Sequence, residues 1–163
     1  NRIIAERLTG QASEGFTNAA MQWGVDNEDS ARKAYESHTG TFVDEMGIAT
    51  HPVLKHTHAS PDGLVGDDGL IEIKCPNTAT HLDTLMSQKV PSKYVTQMMW
   101  QLECTGRLWC DFVSYDPRLP ENLQLFIKRV DYDQALCADL REEVMKFLSD
   151  LNVKVEKLRS LNV

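Results

Sequence analysis

No stretch of about 18 consecutive apolar residues occurs in this 163-residue chain, so nothing in it reads as a membrane-spanning helix. No secretory leader is visible either. The four cysteines, Cys75, Cys104, Cys110 and Cys137, lie far apart and never form a CxxC pair. That spacing disfavours a disulfide framework, a zinc site and an iron–sulfur cluster, and predicts reduced, buried thiols in a cytoplasmic protein. Basic residues are also scarce: 17 Lys and Arg face 24 Asp and Glu, a net charge of −7. An indiscriminate nucleic-acid coat needs the opposite balance, although an enzyme that gathers carboxylates in a cleft does not. Internal repeats, low-complexity tracts and Pro/Gly-rich linkers are missing as well. The opening residue is Asn rather than Met, which is compatible with a start inside a longer protein.

What is present is ordinary globular composition, 42% hydrophobic and 25% charged, in a length that suits one domain with a sizeable core. The segment 1–8 reads as the end of a helix closed by Gly10. A stronger helix is expected over about 17–37, capped by Thr17 or Asn18 and stopped by Gly40, with Trp23, Ala31, Ala34 and Tyr35 near one face. Strands are expected over 41–48 and 56–65, separated by a turn around His51 and Pro52. A further strand, 70–74, follows the turn Gly66-Asp67-Asp68-Gly69 and is stopped by Pro76. Helices over 77–88 and from Pro91 to near Gly106, strands over 109–114 and 123–130, and a long amphipathic helix over about 133–158 complete the order. This order predicts an α/β fold, a mixed central sheet flanked by helices.

The segment richest in chemistry runs from Ser60 to Lys74. Alternation along a strand puts Glu72 and Lys74 on one face, at a sheet edge or cleft, and Ile71 and Ile73 on the other. A hairpin folded about Asp67 and Asp68 places Asp62 opposite Ile73, and so diagonal to Glu72. Two carboxylates and an ammonium then converge. Paired carboxylates repel unless a cation lies between them, and Mg²⁺ prefers oxygen donors of this kind. Taken alone, Glu72-Ile73-Lys74 is more often an exposed charge pair than a site, and Asp-Gly is more often turn chemistry. Pro61-Asp62, the tight hairpin and the apolar strand together favour the functional reading.

At these residues the chain resembles the PD-(D/E)xK nuclease superfamily and, more narrowly, the phage lambda exonuclease or YqaJ-type viral recombinase family. The resemblance rests on Trp23-Gly24-Val25-Asp26-Asn27-Glu28, Ser60-Pro61-Asp62-Gly63-Leu64, Glu72-Ile73-Lys74-Cys75-Pro76 and Tyr94-Val95-Thr96-Gln97, with Tyr115-Asp116-Pro117-Arg118 behind them. It implies a single nuclease domain over 1–163 that begins after the family's N-terminal segment, which supplies an Arg and a Ser to a 5′-phosphate pocket. Asp62, Glu72 and the carbonyl of Ile73 would hold one or two Mg²⁺ ions, with Mn²⁺ as a substitute, and Glu28 would lie near a second metal position. Lys74 would hold and help deprotonate the attacking water, or stabilise charge on the phosphate, and Gln97 would orient the nucleophile or Lys74. Ser60 would bind phosphate.

The implied activity is digestion of one strand of linear duplex DNA from its 5′ end to mononucleotides. The 3′ overhang left behind would serve a single-strand annealing protein. The implied assembly is a ring-shaped trimer, phage- or prophage-encoded, in a bacterial cytoplasm. Two other readings stay open: a structure- or sequence-specific endonuclease of the same superfamily, and a non-catalytic DNA-binding protein that keeps the fold.

Several residues weigh less. His51, His56 and His58 lack the further ligands zinc needs, and His58 is expected at most to touch phosphate. Lys89, Lys93, Arg107, Lys128 and Arg129 are scattered cations that could line a DNA path. Gln101 is expected to be helix surface, and Trp109 and Phe112 to be core. Leu136, Leu140, Val144, Phe147, Leu148, Leu151 and Val155 are expected first to pack the last helix onto the core and second to make a subunit contact.

Overall fold

A computed structural model describes residues 18–45, 47, 49–50, 52 and 58–161. Helix α1 covers Ala19–Thr39, with the Asn18 side chain accepting the Met21 amide at 2.8 Å and Gly40 ending it at φ 71°. Ala31 and Tyr35 are its buried contacts, and Trp23 and Ala34 are half-buried beside them. The strands are β1 (Val43–Asp44), β2 (Ala49–Thr50), β3 (His58–Ala59), β4 (Gly63–Val65), β5 (Gly69–Lys74), β6 (Trp109–Tyr115) and β7 (Leu125–Asp131). Helices α2 (Thr78–Ser87) and α3 (Ser92–Thr105) connect β5 to β6, and α4 (Gln134–Arg159) closes the chain. The expected helix end at 1–8 lies outside the described residues.

Five strands form one sheet in the order β1-β4-β5-β6-β7, and β2 pairs with β3 as a separate ribbon. Among the described residues only β5 and β6 run parallel, which follows from the helical crossover α2–α3 between them. The strand expected over 56–65 is therefore divided between ribbon and sheet, whereas the one expected over 41–48 contains β1 of the sheet and the ribbon strand β2 falls just beyond it. Pro61, with no N–H to donate, stands at that division. The run from His58 to Asp62 is consequently not one alternating strand. His58 pairs within the ribbon, opposite Thr50, while His51 and His56 lie outside the described residues.

Strand β5 is central, which corrects the sheet-edge expectation. Leu70 points into a core with Met98, Met99 and Leu102 of α3 and with Cys110 and Phe112 of β6. Ile71 and Ile73 point the other way, into a core with Ala31 and Tyr35 of α1 and with Val113. A strand with helices on both faces reads as an almost continuous apolar run, and Glu72 interrupts it. Phe112 is core as expected, whereas Trp109 is half-buried beneath Arg129, whose guanidinium lies 3.5 Å from the ring centroid. Along α4 only Cys137, Leu151 and Val155 are fully buried. Phe147, expected in the core, is 51% exposed. The four cysteines are free thiols; Cys104, Cys110 and Cys137 are buried and Cys75 is half-buried.

Candidate active site

The β4–β5 hairpin positions the chemistry. Its register pairs Gly63 with Ile71, Leu64 with Leu70 and Val65 with Gly69, leaving a three-residue turn of Gly66, Asp67 and Asp68. Gly66 takes φ 56°, a left-handed conformation that glycine adopts without strain. The turn is thus one residue longer than a two-residue turn on Asp67 and Asp68. Extending the ladder by one step sets Asp62 opposite Glu72, a correction of one position to the expected register. Arg107 clamps the hairpin, donating to the carbonyls of Gly66 and Gly69 at 2.7 and 3.0 Å. A Cβ on Gly63 would stand 2.3 Å from Val43 Cγ1, so the absent side chain lets β1 approach beside Asp62.

Asp62, Glu72, Lys74 and Glu28 come together at the C-terminal end of β5. Asp62 Oδ2 accepts the Ile73 amide at 2.7 Å. Glu72 is 2% exposed. Its Oε1 is 3.0 Å from Lys74 Nζ and its Oε2 accepts Gln101 Nε2 at 2.8 Å. Lys74 also lies over the Tyr94 ring, 4.8 Å from its centroid, and Lys93 takes the same distance from that ring. Burial, the charge of Glu72 and a hydrogen bond to Glu28 push the Asp62 carboxyl up to about 8; the Ile73 amide opposes them without winning. The cluster carries more negative charge than its single lysine offsets.

Tyr94, Gln97 and Gln101 follow one another at three- and four-residue spacing, so they share a stripe of α3. Tyr94 meets Lys74 at one end of the stripe and Gln101 meets Glu72 at the other. Gln97, between them, is exposed. Gln101 is 2% exposed and belongs to the site's surroundings, not to the surface expected for it. The missed signal was its place beside Met98 and Leu102, which puts it on the buried side of the helix. Ser60 is exposed, two residues before Asp62.

A cavity of about 670 Å³ opens beside the cluster, lined in part by Lys74, Cys75, Tyr94, Trp23 and Arg118. Arg118 stacks on Trp23 at 4.2 Å and is held by the fully buried Asp116 at 2.8 Å. Of the Tyr-Asp-Pro-Arg segment, Arg118 lines the cavity and Asp116 anchors it there. Among the described residues no group of three His, Cys, Asp or Glu side chains is arranged to hold a metal ion by itself.

A mixed five-stranded sheet with flanking helices, carrying Asp62, Glu72 and Lys74 on a central hairpin, is the PD-(D/E)xK nuclease fold. The profile of the YqaJ-like viral recombinase domain matches residues 3–108, and the chain belongs to that family. The structure is similar to an alkaline exonuclease, LHK-Exo, from Laribacter hongkongensis, with a TM-score of 0.93 and 49% identity over 97% of this chain and 80% of that one. The same exonuclease in complex with dAMP gives a TM-score of 0.94 at 49% identity over the same shares of the two chains. A phage-related exonuclease from Haemophilus somnus 129PT shares the fold, with a TM-score of 0.74 at 16% identity over 98% of this chain and 80% of that one. No curated protein sequence matches significantly. The chain is thus an enzyme, an exonuclease of the YqaJ-like family. No helix among the described residues is long and apolar enough to cross a membrane.

Proposed function

We propose that this exonuclease is a Mg²⁺-dependent 5′-to-3′ exodeoxyribonuclease that digests one strand of linear duplex DNA to mononucleotides. The 3′ overhang it leaves would pass to a single-strand annealing protein, and the enzyme would work as a ring-shaped homotrimer. The observation that carries the catalytic part is the raised Asp62 carboxyl, with Glu72 and Glu28 in electrostatic reach and Lys74 paired to Glu72. Crowding carboxylates until one resists ionisation is costly unless a cation offsets it.

The donor set fits such a cation. Carboxylates and a carbonyl are hard oxygen ligands, suited to Mg²⁺ or Mn²⁺ and poor for softer metals. Asp62, Glu72 and the Ile73 carbonyl would hold one ion, and Glu28, through its contact with Asp62, would approach a second. A bound divalent ion supplies phosphate charge neutralisation and an activated water.

The chain's own groups do the rest. Lys74, whose side chain is 27% exposed and lines the cavity, orients water and carries a proton to or from the reacting oxygen. Tyr94 restrains that ammonium from the other side. Gln97 on the same helical stripe orients the nucleophile or Lys74, and Ser60, with His58 before it, contacts phosphate. The cavity walled by Trp23 and Arg118 offers an aromatic face and a guanidinium to the nucleotide end.

Digestion of a linear duplex that carries a 5′ phosphate on one strand only, with Mg²⁺, with EDTA and with Lys74→Ala, tests the proposal. Mg²⁺-dependent loss of the phosphorylated strand, abolished in the variant, is the expected outcome. Internal cleavage of both strands would indicate an endonuclease. No cleavage by the folded protein would indicate a DNA-binding module.

A further inference from the structure

Glu72 is buried with its two oxygens in different company. Oε1 faces Lys74, a side chain that reaches the cleft. Oε2 is turned into the protein, where the Gln101 amide meets it at 2.8 Å. Gln101 stands on α3 among Met98, Met99 and Leu102, a neighbourhood that would accept an apolar side chain of its size. Its own Oε1 is buried and has no hydrogen-bond partner among the described residues. A buried, unpartnered carbonyl costs stability, yet the same side chain supplies a donor to the buried Glu72 Oε2, so an apolar residue here would exchange an orphaned carbonyl for an orphaned carboxylate oxygen.

We infer that Gln101 is a positioning residue that fixes Glu72 so that a single oxygen, Oε1, is presented to the metal. The inference rests on the metal reading of the site given above. A neutral donor on Oε2 satisfies that oxygen without cancelling the carboxylate's charge, as a second lysine or arginine would. Lys74, by contrast, holds Oε1 through an ion pair at a partly exposed position. A cation held at this site would take Oε1 in place of Lys74 and leave the Gln101 contact intact, and the Lys74 ammonium would then be free to face the phosphate. Outer hydrogen bonds of this kind orient ligating carboxylates, and their loss weakens metal binding by about 10–100-fold.

The test is calorimetric titration of the whole chain with Mg²⁺ in the absence of DNA, comparing wild type, Gln101→Met and Glu72→Gln. The expected result is Mg²⁺ affinity lowered by about 10–100-fold in Gln101→Met, with the metal-free protein still folded. Wild-type affinity in Gln101→Met, with binding lost in Glu72→Gln, would overturn the positioning role and leave the metal reading standing. Absence of binding in the wild type would overturn the metal reading and this one with it. The Gln101 side-chain amide resonance of the wild-type chain gives a readout that needs no variant. It is expected to be protected from exchange and to shift on Mg²⁺ addition; an unmoved resonance during Mg²⁺ binding overturns the role.

Discussion

Two buried carboxylates on neighbouring strands of the same sheet, Asp111 and Glu72, are each 2% exposed, yet their surroundings differ in kind. Asp111 accepts the Tyr35 hydroxyl at 2.7 Å and two guanidinium N–H groups of Arg129 at 2.8 and 3.1 Å. Its charge is matched, and Arg129 is raised first by that hydrogen bond. Glu72 has a lysine, an amide and a second carboxylate nearby that resists ionisation. Asp116 belongs with Asp111: burial works against its charge, yet bonds from Arg118 and Thr78 bring its carboxyl below the usual range. Where acids are satisfied they tie elements together; where they are crowded and underpaired, they await something else.

The sharpest way to separate the two regions is Lys74→Ala. It should lower kcat by at least about 10²–10⁴-fold while the protein still folds, as read by single-turnover digestion and calorimetry. Asp111→Ala should do the reverse. It strands the Tyr35 hydroxyl in the core and should cost about 1–3 kcal/mol in denaturant unfolding, with unchanged turnover per folded molecule.

Acid–base linkage gives a third contrast. Between roughly pH 4 and pH 8 the folded, metal-free protein keeps a proton on Asp62 that the unfolded chain has released. Its stability should therefore fall as pH rises through that window, by at most about 1.4 kcal/mol per unit. Asp62→Asn should remove this contribution, seen as a flatter Tm-against-pH curve than wild type. A parallel pair of curves would refute the crowding. The smallest effect belongs to Arg129→Lys, which keeps the charge but loses the paired N–H geometry and the stacking on Trp109. A loss of about 0.5–1 kcal/mol is expected for this half-exposed group, with no change in Mg²⁺ affinity.

Much of the crowded region was legible in the sequence because it is local. Asp62, Glu72 and Lys74 lie on one hairpin, and strand alternation with turn chemistry brings them together to within one position of register. The error came from Gly66, whose left-handed conformation lengthens the turn to three residues. Element order was legible for the same reason. Gln101 was not, because a polar residue at helical spacing looks alike on the wet and dry sides until the sheet beneath it is known. The Asp111–Tyr35 bond, across 76 residues, had no local signature at all. Nor did the division of the early strands between sheet and ribbon, since short extended runs do not reveal their partners. The burial of Phe147 was overread for a related cause: apolar periodicity tells which side of a helix is greasy, not how far along its length the core extends.

Helix α1 carries Glu28 and Tyr35 seven residues apart, two turns along one side, and thereby touches both acid networks at once. Lifting it from the sheet would strip Asp111 of its hydroxyl and Asp62 of its neighbouring acid in the same motion, while the Glu72–Lys74 and Glu72–Gln101 contacts, closed within β5 and α3, would persist. Amide exchange in α1 should accordingly report opening of both networks with one rate, and exchange in β5 a slower one. The enzyme is in this sense fastened at both networks by helix α1 and riveted at its central strand.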